Sequence, residues 1–317
     1  MLNNIKQFFK TLFCNKNTKI NTKNNVAIFV VYAGGQVNKK DNNTFLFKND
    51  IFEPIYAGIK SDENKEALHS VWKNPNHPES FLNADYIKSI MLTDDYGENI
   101  SHLNRKINEY TAMYSIYKNI DQFQDKDYIG FCHYKRFLDF SYSIEGKKIN
   151  FKNQQEYLKY CSKNTNKIIS NINNYSMVSF VLPNIHPTQN FNQYHLKDFL
   201  NQDFLQYIKM NKPQLYPSFN HHLNNVNNMY ICNLFIMKKE LFLEYCNFIF
   251  ELGFYFLENL DIKSLKFSDV PENKSEIYRN RIVGHIMERA TSCYINYLIE
   301  ERKIKTQTIK DFHHLEN

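Results

Sequence analysis

Two rhythms of apolar positions run along the chain. "NVAIFVVYAGG" (Asn25–Gly35) is an unbroken β-branched and aromatic run ending in two glycines. That is the pattern of a strand buried on both faces that feeds a loop. "FEPIYAGI" (Phe52–Ile59), "DYIGFCHY" (Asp127–Tyr134), "YSMVSFVLPN" (Tyr175–Asn184) and "YICNLFIMKK" (Tyr230–Lys239) share the strand character. Between them the spacing changes to three and four. Ile107, Tyr110, Met113, Tyr114, Tyr117 and Ile120 predict a core-facing helix over Arg105–Ile120 with Asn104 as its N-cap. A second helix is predicted from Glu240 to about Leu257. A third runs from about Asn280 to Glu300, with Ile282, Ile286, Ala290, Cys293 and Leu298 inward.

Strands alternating with helices predict an α/β domain built on a mostly parallel sheet, Rossmann-like and flanked by helices. Such sheets bind ligands beyond the carboxyl ends of their strands. The positions to inspect are therefore Tyr32–Gly35, His133–Arg136, Pro183–His186 and the neighbourhood of Asn233. The domain is expected to span residues 25–310, with residues 1–24 as a separate arm and residues 311–317 as a tail. Lys263–Glu276 reads as a polar loop, and no internal repeat is present.

Composition narrows the class. The 317 residues carry a net charge of +6, with Lys and Glu interspersed over most of the length. A nucleic-acid binder would more often concentrate its basic residues in a stripe. The exception is Met1–Lys40, with seven lysines and no acidic residue. There Leu2, Ile5, Phe8, Phe9, Leu12 and Phe13 recur at helical spacing, and Lys6 and Lys10 lie off the stripe. This fits a short interfacial helix with a basic linker, or equally an amphipathic helix packed on the domain. No window of 18 apolar residues exists, and the N-terminus lacks the form of a signal peptide. Cys14, Cys132, Cys161, Cys232, Cys246 and Cys293 are scattered without a C-x-x-C pair, as in a cytoplasmic protein with reduced thiols.

The chain has no G-x-G-x-x-G, P-loop, H-E-x-x-H or G-x-S-x-G. Its one Asp-x-Asp, Asp125-Lys126-Asp127, precedes a strand and so falls at the wrong end of the sheet to hold a metal against a diphosphate. The strand exit carries His133-Tyr134-Lys135-Arg136 instead. Lys and Arg there suit phosphate oxygens, Arg in bidentate fashion, unless both are simply solvated. Asn99, Ser101 and Asn104 precede a helix start, where they either cap it or meet an anion or ribose. Glu109 is either solvated or a partner of the strand-end cations. Tyr194, His195 and Asp198 lie close together, and a His-x-x-Asp pair on one helix face can act as a general base. Glu288 and Arg289 fall off the apolar stripe of the last helix and read as solvated.

"GENISHLNRKINEYTAMYSIYKN" followed by "YIGFCHYKRF" resembles a bacterial family of capsule and lipopolysaccharide gene clusters, catalogued as domain of unknown function 4422. Gly97, Asn99, Ile100, Ser101, Asn104, Glu109, Thr111, Gly130, His133, Tyr134 and Arg136 match its pattern. "NLFIMKKELFLEYCNFIF" and "RIVGHIMERATSCYINYL" resemble its later segments, which raises Glu288 and Arg289 above a solvated role. Lys135 departs from the family's arginine, Ala33-Gly34-Gly35 from its His-Lys, and His285 from its tyrosine.

The resemblance implies a single GT-A-like catalytic domain that transfers sugar from a nucleotide-sugar, a UDP-sugar as first choice, to a capsular or lipopolysaccharide acceptor. Tyr32, Ala33 and Gly34 would meet the base. Lys135 and Arg136 would meet the diphosphate, with Asn99, Ser101, Asn104, Glu109, His133, Tyr134, Asn233 and Arg289 around the donor. His195 with Asp198, or else Glu288, would be the base. No metal or other cofactor is expected, nor any nucleic-acid partner. The expected location is the cytoplasm, with contact to the inner membrane face through residues 1–24. A phosphoryl-type transferase and a non-catalytic assembly protein are the rival readings.

Overall fold

The computed structural model describes residues 25–33, 46–63, 84–188, 199–261 and 279–315. The N-terminal arm, Gly34 and Gly35, the segment with Tyr194, His195 and Asp198, and the Lys263–Glu276 loop lie outside the described residues.

The centre of the fold is a pair of parallel strands, β1 (Val26–Tyr32) and β4 (Tyr128–His133). On the far side of β1 lie β2 (Phe52–Tyr56) and then β3 (Leu92–Thr93), both parallel to it. Beyond β4 come β9 (Phe235–Lys238), β6 (Met177–Phe180) and β10 (Thr306–Ile309), in the order β10-β6-β9-β4-β1-β2-β3. β9 runs antiparallel to both its neighbours, whereas β6 and β10 are parallel. The sheet is mixed but mostly parallel, as expected. A short β7 (Leu182–Pro183) pairs with β8 (Asn228–Met229).

Alternation along the strands separates two cores, because successive side chains leave a strand on opposite faces. Phe29 and Val31 pack with Ile129, Phe131, Phe235 and Met237 on one face. Over them lie helices α1 (Tyr110–Lys118), α5 (Lys239–Asn259) and α6 (Ile282–Glu300), with α4 (Tyr216–Asn225) packed on α6. On the other face Ile28, Val30, Cys132 and Ile236 pack under α2 (Gln154–Lys163) and α3 (Thr165–Asn173). Gly130 is required by this packing: a Cβ there would lie 2.7 Å from Ile236 Cγ1. The five inward residues predicted for the last helix are all buried.

Two expectations change, and the end of β4 gains a shape. The predicted Arg105–Ile120 helix is broken: Asn104–Ile107 makes one turn, Asn108 turns left-handed (φ 54°), and α1 starts after Glu109. Asn104 therefore caps nothing with its side chain; it donates forward to Asn108 O (2.7 Å) and Thr111 Oγ1 (3.1 Å), which fixes the break. The polar end of β4 is a tight turn. Tyr134 and Lys135 connect β4 to β5 (Arg136–Leu138), and His133 pairs with Arg136. Finally, the region set apart as a tail closes the sheet: β11 (Phe312–His314) pairs antiparallel with β5. Its hold is both backbone and side chain, since Leu315 N donates to Lys135 O (3.0 Å) and His313 Nε2 meets Asp139 Oδ1 (3.1 Å) out of water.

Candidate active site

Polar residues gather at the carboxyl edge of β1 and β4. Because β9 runs antiparallel with Phe235 opposite Phe131, its entry falls at this edge. Asn233, two residues before Phe235, is thereby level with His133. The entry segment is strapped onto α6: Tyr230 N donates to Ser292 Oγ (3.0 Å) and Cys232 N to Glu288 Oε1 (2.9 Å). Asn233 Nδ2 donates to Glu109 Oε1 (3.0 Å). Cys232 (φ 61°) and Asn233 (φ 50°) are consecutive left-handed residues without a glycine. Such a backbone costs about 1–3 kcal/mol per residue and persists only where its surroundings over-determine it. The three anchors do so here.

Glu288 and Arg289 do not stand in solvent, contrary to their place off the apolar stripe. Arg289 is 2% exposed, bonds Glu288 Oε2 through Nη1 (2.6 Å) and Pro187 O through Nε (3.3 Å). Both Glu288 oxygens are thus engaged. Glu109 sits in the break before α1 and turns inward rather than along a polar flank. Burial raises its pKa, and the nearby Glu288 charge adds to the rise, against the opposing influence of Arg281 and Asn233. Arg281 itself bonds Asn108 Oδ1 through Nε (2.6 Å), tying α6 to the break.

The β4–β5 turn brings its cations to the same edge of the sheet. Arg136 is partly buried and touches Cys232 Sγ through Nη1 (3.2 Å); among the described residues it pairs with no carboxylate. Lys135 Nζ lies 5.6 Å from the Tyr134 ring centroid. The His133 and Tyr134 rings are tilted against each other, centroids 4.4 Å apart. Its pKa is pushed down to about 3, by burial first and then by Arg136 and Lys135, so the imidazole is neutral at pH 7. A cavity of about 10 Å³ lies beside His133, lined by Val31, Glu109, Met113, Phe131, Cys132, His133, Cys232 and Asn233.

The other expected residues are placed differently. Tyr32 is buried in the second core. Its hydroxyl accepts from Phe47 N (3.0 Å), its ring centroid lies 5.9 Å from that of Tyr134, and burial raises its pKa to about 12. Among the described residues the partly exposed Ala33 remains at that strand end. Ser101 is fully buried in a knot around Asp94, which the sequence reading overlooked. Asp94 accepts from Ser101 Oγ (2.5 Å), Gly58 N (2.6 Å) and Ile59 N (3.3 Å), while Lys60 N donates to Ser101 Oγ (3.1 Å). Asn99 folds back on its own turn, donating to Asp95 O and Gly97 O. Gly97 has φ 54° and passes so close to Asn119 that a Cβ would collide with its amide.

Asp125 and Asp127 lie at the opposite, amino edge of β4, Asp127 bonded to Asn25 Nδ2 (3.0 Å) and Asp125 to Lys126 (3.0 Å). Among the described residues no three of His, Cys, Asp and Glu converge as a ligand set for a metal. Arg281, Cys232 and the fold-linking Asn108 were not singled out as site residues from the sequence. A lone arginine ahead of a helix, beside a polar loop, gives no periodic signal.

No curated protein matches the chain. Among solved structures, that of the apo WbbM bifunctional glycosyltransferase is similar, with a TM-score of 0.62 and 20% identity over 92% of this chain. The match covers 45% of that protein, so the chain spans under half its length. At this identity the likeness is one of fold, an α/β arrangement with a mostly parallel sheet flanked by helices, as expected. Residues 40–300 match the family model described as "Domain of unknown function (DUF4422)", and the chain belongs to that family.

Proposed function

We propose that the chain is a glycosyltransferase that moves a sugar from a nucleotide-sugar to a saccharide acceptor of a bacterial surface polysaccharide. One observation carries this reading: Arg136, partly buried at the carboxyl edge of the central strands, has no carboxylate partner among the described residues. A guanidinium partly withdrawn from water without an anion carries a desolvation cost, and an anion bound there would offset it. The shared fold with a glycosyltransferase supports the same class.

Breaking the bond between the sugar and the diphosphate leaves negative charge on the departing phosphate. Lys135 and Arg136 would stabilise it as it develops. Neutral His133 would add a hydrogen bond without further charge. These cations do the work a divalent ion performs at acidic diphosphate sites, so the reaction is proposed to need no metal. Ala33 borders the place for the base, for which uracil is the first choice. Glu288, with both oxygens engaged, is better suited to hold the Cys232–Asn233 backbone than to take a proton. The role of base for the acceptor hydroxyl then falls to His195 with Asp198. The basic arm at residues 1–24 would bring the enzyme to an anionic membrane face where lipid-linked acceptors lie; among the described residues no helix is long and apolar enough to cross a membrane.

A panel of UDP-, GDP- and ADP-sugars incubated with the full chain, with and without EDTA, tests this. The expected result is slow release of a nucleoside diphosphate from one donor, unchanged by EDTA. Transfer that stops on chelation would favour the phosphoryl-type reading, and a chain that neither binds nor cleaves any donor would favour an assembly role.

A further inference from the structure

The 10 Å³ cavity behind His133 is about the smallest space that admits one water-sized oxygen. Most of its wall is apolar: Val31, Met113, Phe131, Cys132 and Cys232. Its polar lining is Glu109, His133 and Asn233. Asn233 is 4% exposed, and its Oδ1 has no hydrogen-bond partner among the described residues, although its Nδ2 is held by Glu109. A buried amide oxygen costs free energy when it has no donor. It is moreover fixed in a left-handed backbone that the straps to Glu288 and Glu109 maintain. The chain thus holds a strained residue in place with one acceptor open.

Charge decides which part of a nucleotide-sugar can reach it. Lys135 and Arg136 lie on the turn side, whereas Glu109 and Glu288 lie on the α6 side. A diphosphate would be repelled from the carboxylates, and a neutral sugar hydroxyl would be attracted. A hydroxyl has one donor and two acceptor sites, which suits an amide oxygen, a carboxyl and an imidazole around one small space.

We propose that this cavity is a one-hydroxyl recognition pocket for the sugar half of the donor. One sugar hydroxyl donates to Asn233 Oδ1 while the diphosphate lies on Lys135 and Arg136. The inference rests on the glycosyltransferase reading and adds to it the residue that selects the sugar. Glu109 and the Glu288 strap position Asn233.

Calorimetric titration of the full chain with UDP, UDP-glucose, UDP-galactose and UDP-N-acetylglucosamine tests it. The wild type should bind one of the sugars roughly tenfold or more tightly than UDP, the size of one buried hydrogen bond. Asn233→Gly keeps the left-handed backbone and should abolish that preference while UDP affinity stays within about twofold. Glu109→Gln is the second variant: its amide can donate to Asn233 Oδ1, closing the pocket without creating a hole, and should give the same loss. A preference that survives both variants would mean a structural water only and would overturn the proposal. So would a wild type that binds UDP with no preference for any sugar. A wild type that binds none of the four, UDP included, overturns the donor class itself and the pocket with it.

Discussion

Two buried polar clusters in this molecule look alike in sequence and differ in what they leave open. The knot around Asp94 joins Ser101, Gly58, Ile59 and Lys60 in one network, and each donor that reaches it finds an acceptor. The cluster at the exit of β4 leaves Asn233 Oδ1 without a donor and Arg136 without a carboxylate, among the described residues. Both contain family-pattern residues, so the pattern alone cannot separate scaffold from site. Completeness of hydrogen bonding separates them, because a closed network has nothing left to offer a ligand.

Variants can break this contrast. The largest effect is expected within the strap that supports the site. Arg289→Leu leaves Glu288 without its partner in a place where Arg289 is 2% exposed, and should lower unfolding free energy by about 3 kcal/mol in urea titration. A loss under about 1 kcal/mol would show that the pair is dispensable. Asp94→Asn should come next, at about 2 kcal/mol, since it replaces a charged acceptor of three donors. In the folded protein it should leave UDP affinity within about twofold, and a larger change would place the knot in the site.

Acidification acts on both regions. His133 in the site and His222 under α6 have pKa values pushed down to about 3, and His285 to about 4, each chiefly by burial. Their folded values lie below the unfolded value of about 6.5, so the unfolded chain binds more protons between these limits. Their contribution is complete above about pH 6.5 and is lost progressively as pH falls toward the folded values of about 3 to about 4. Asp94 and Glu109, raised by burial, act in the opposite sense as pH rises. Urea midpoints should drop from pH 7.5 to 5.5, each histidine contributing about 1 kcal/mol. A flat profile would contradict the burial of neutral imidazoles. The smallest effect is expected at the tip of the turn. Lys135→Arg gives a planar fork to the proposed phosphate contact and should tighten UDP by about threefold; weaker binding would mean that Lys135 serves a geometry an arginine cannot reach.

Legibility of the sequence followed the physics of each element. Strands β1 and β4 were readable because burial on both faces leaves a continuous apolar run, and α5 and α6 because their faces keep a helical period. The β9 run hid two facts: its direction, and the left-handed start at Cys232 and Asn233, which no residue type there advertises. The break at Asn108 was invisible because Ile107 and Tyr110 keep helical spacing across it. At the site, His133, Lys135 and Arg136 stood out as polar groups ending a buried strand. Arg289 did not, since a helix position off the apolar stripe reads as solvent until a neighbouring segment packs over it. Asp94 lay outside every motif considered, yet it organises Ser101, which the motif had offered as a ligand contact.

The central claim is that the exit of β4 holds a diphosphate and the Asp94 knot does not. Titrating UDP into Arg136→Ala, beside urea unfolding of the same protein, tests it most directly. Losing a charge-assisted contact should weaken UDP by roughly tenfold to a hundredfold, with stability changed by less than about 1 kcal/mol. UDP affinity equal to that of the wild type in a fully folded Arg136→Ala protein would contradict the account.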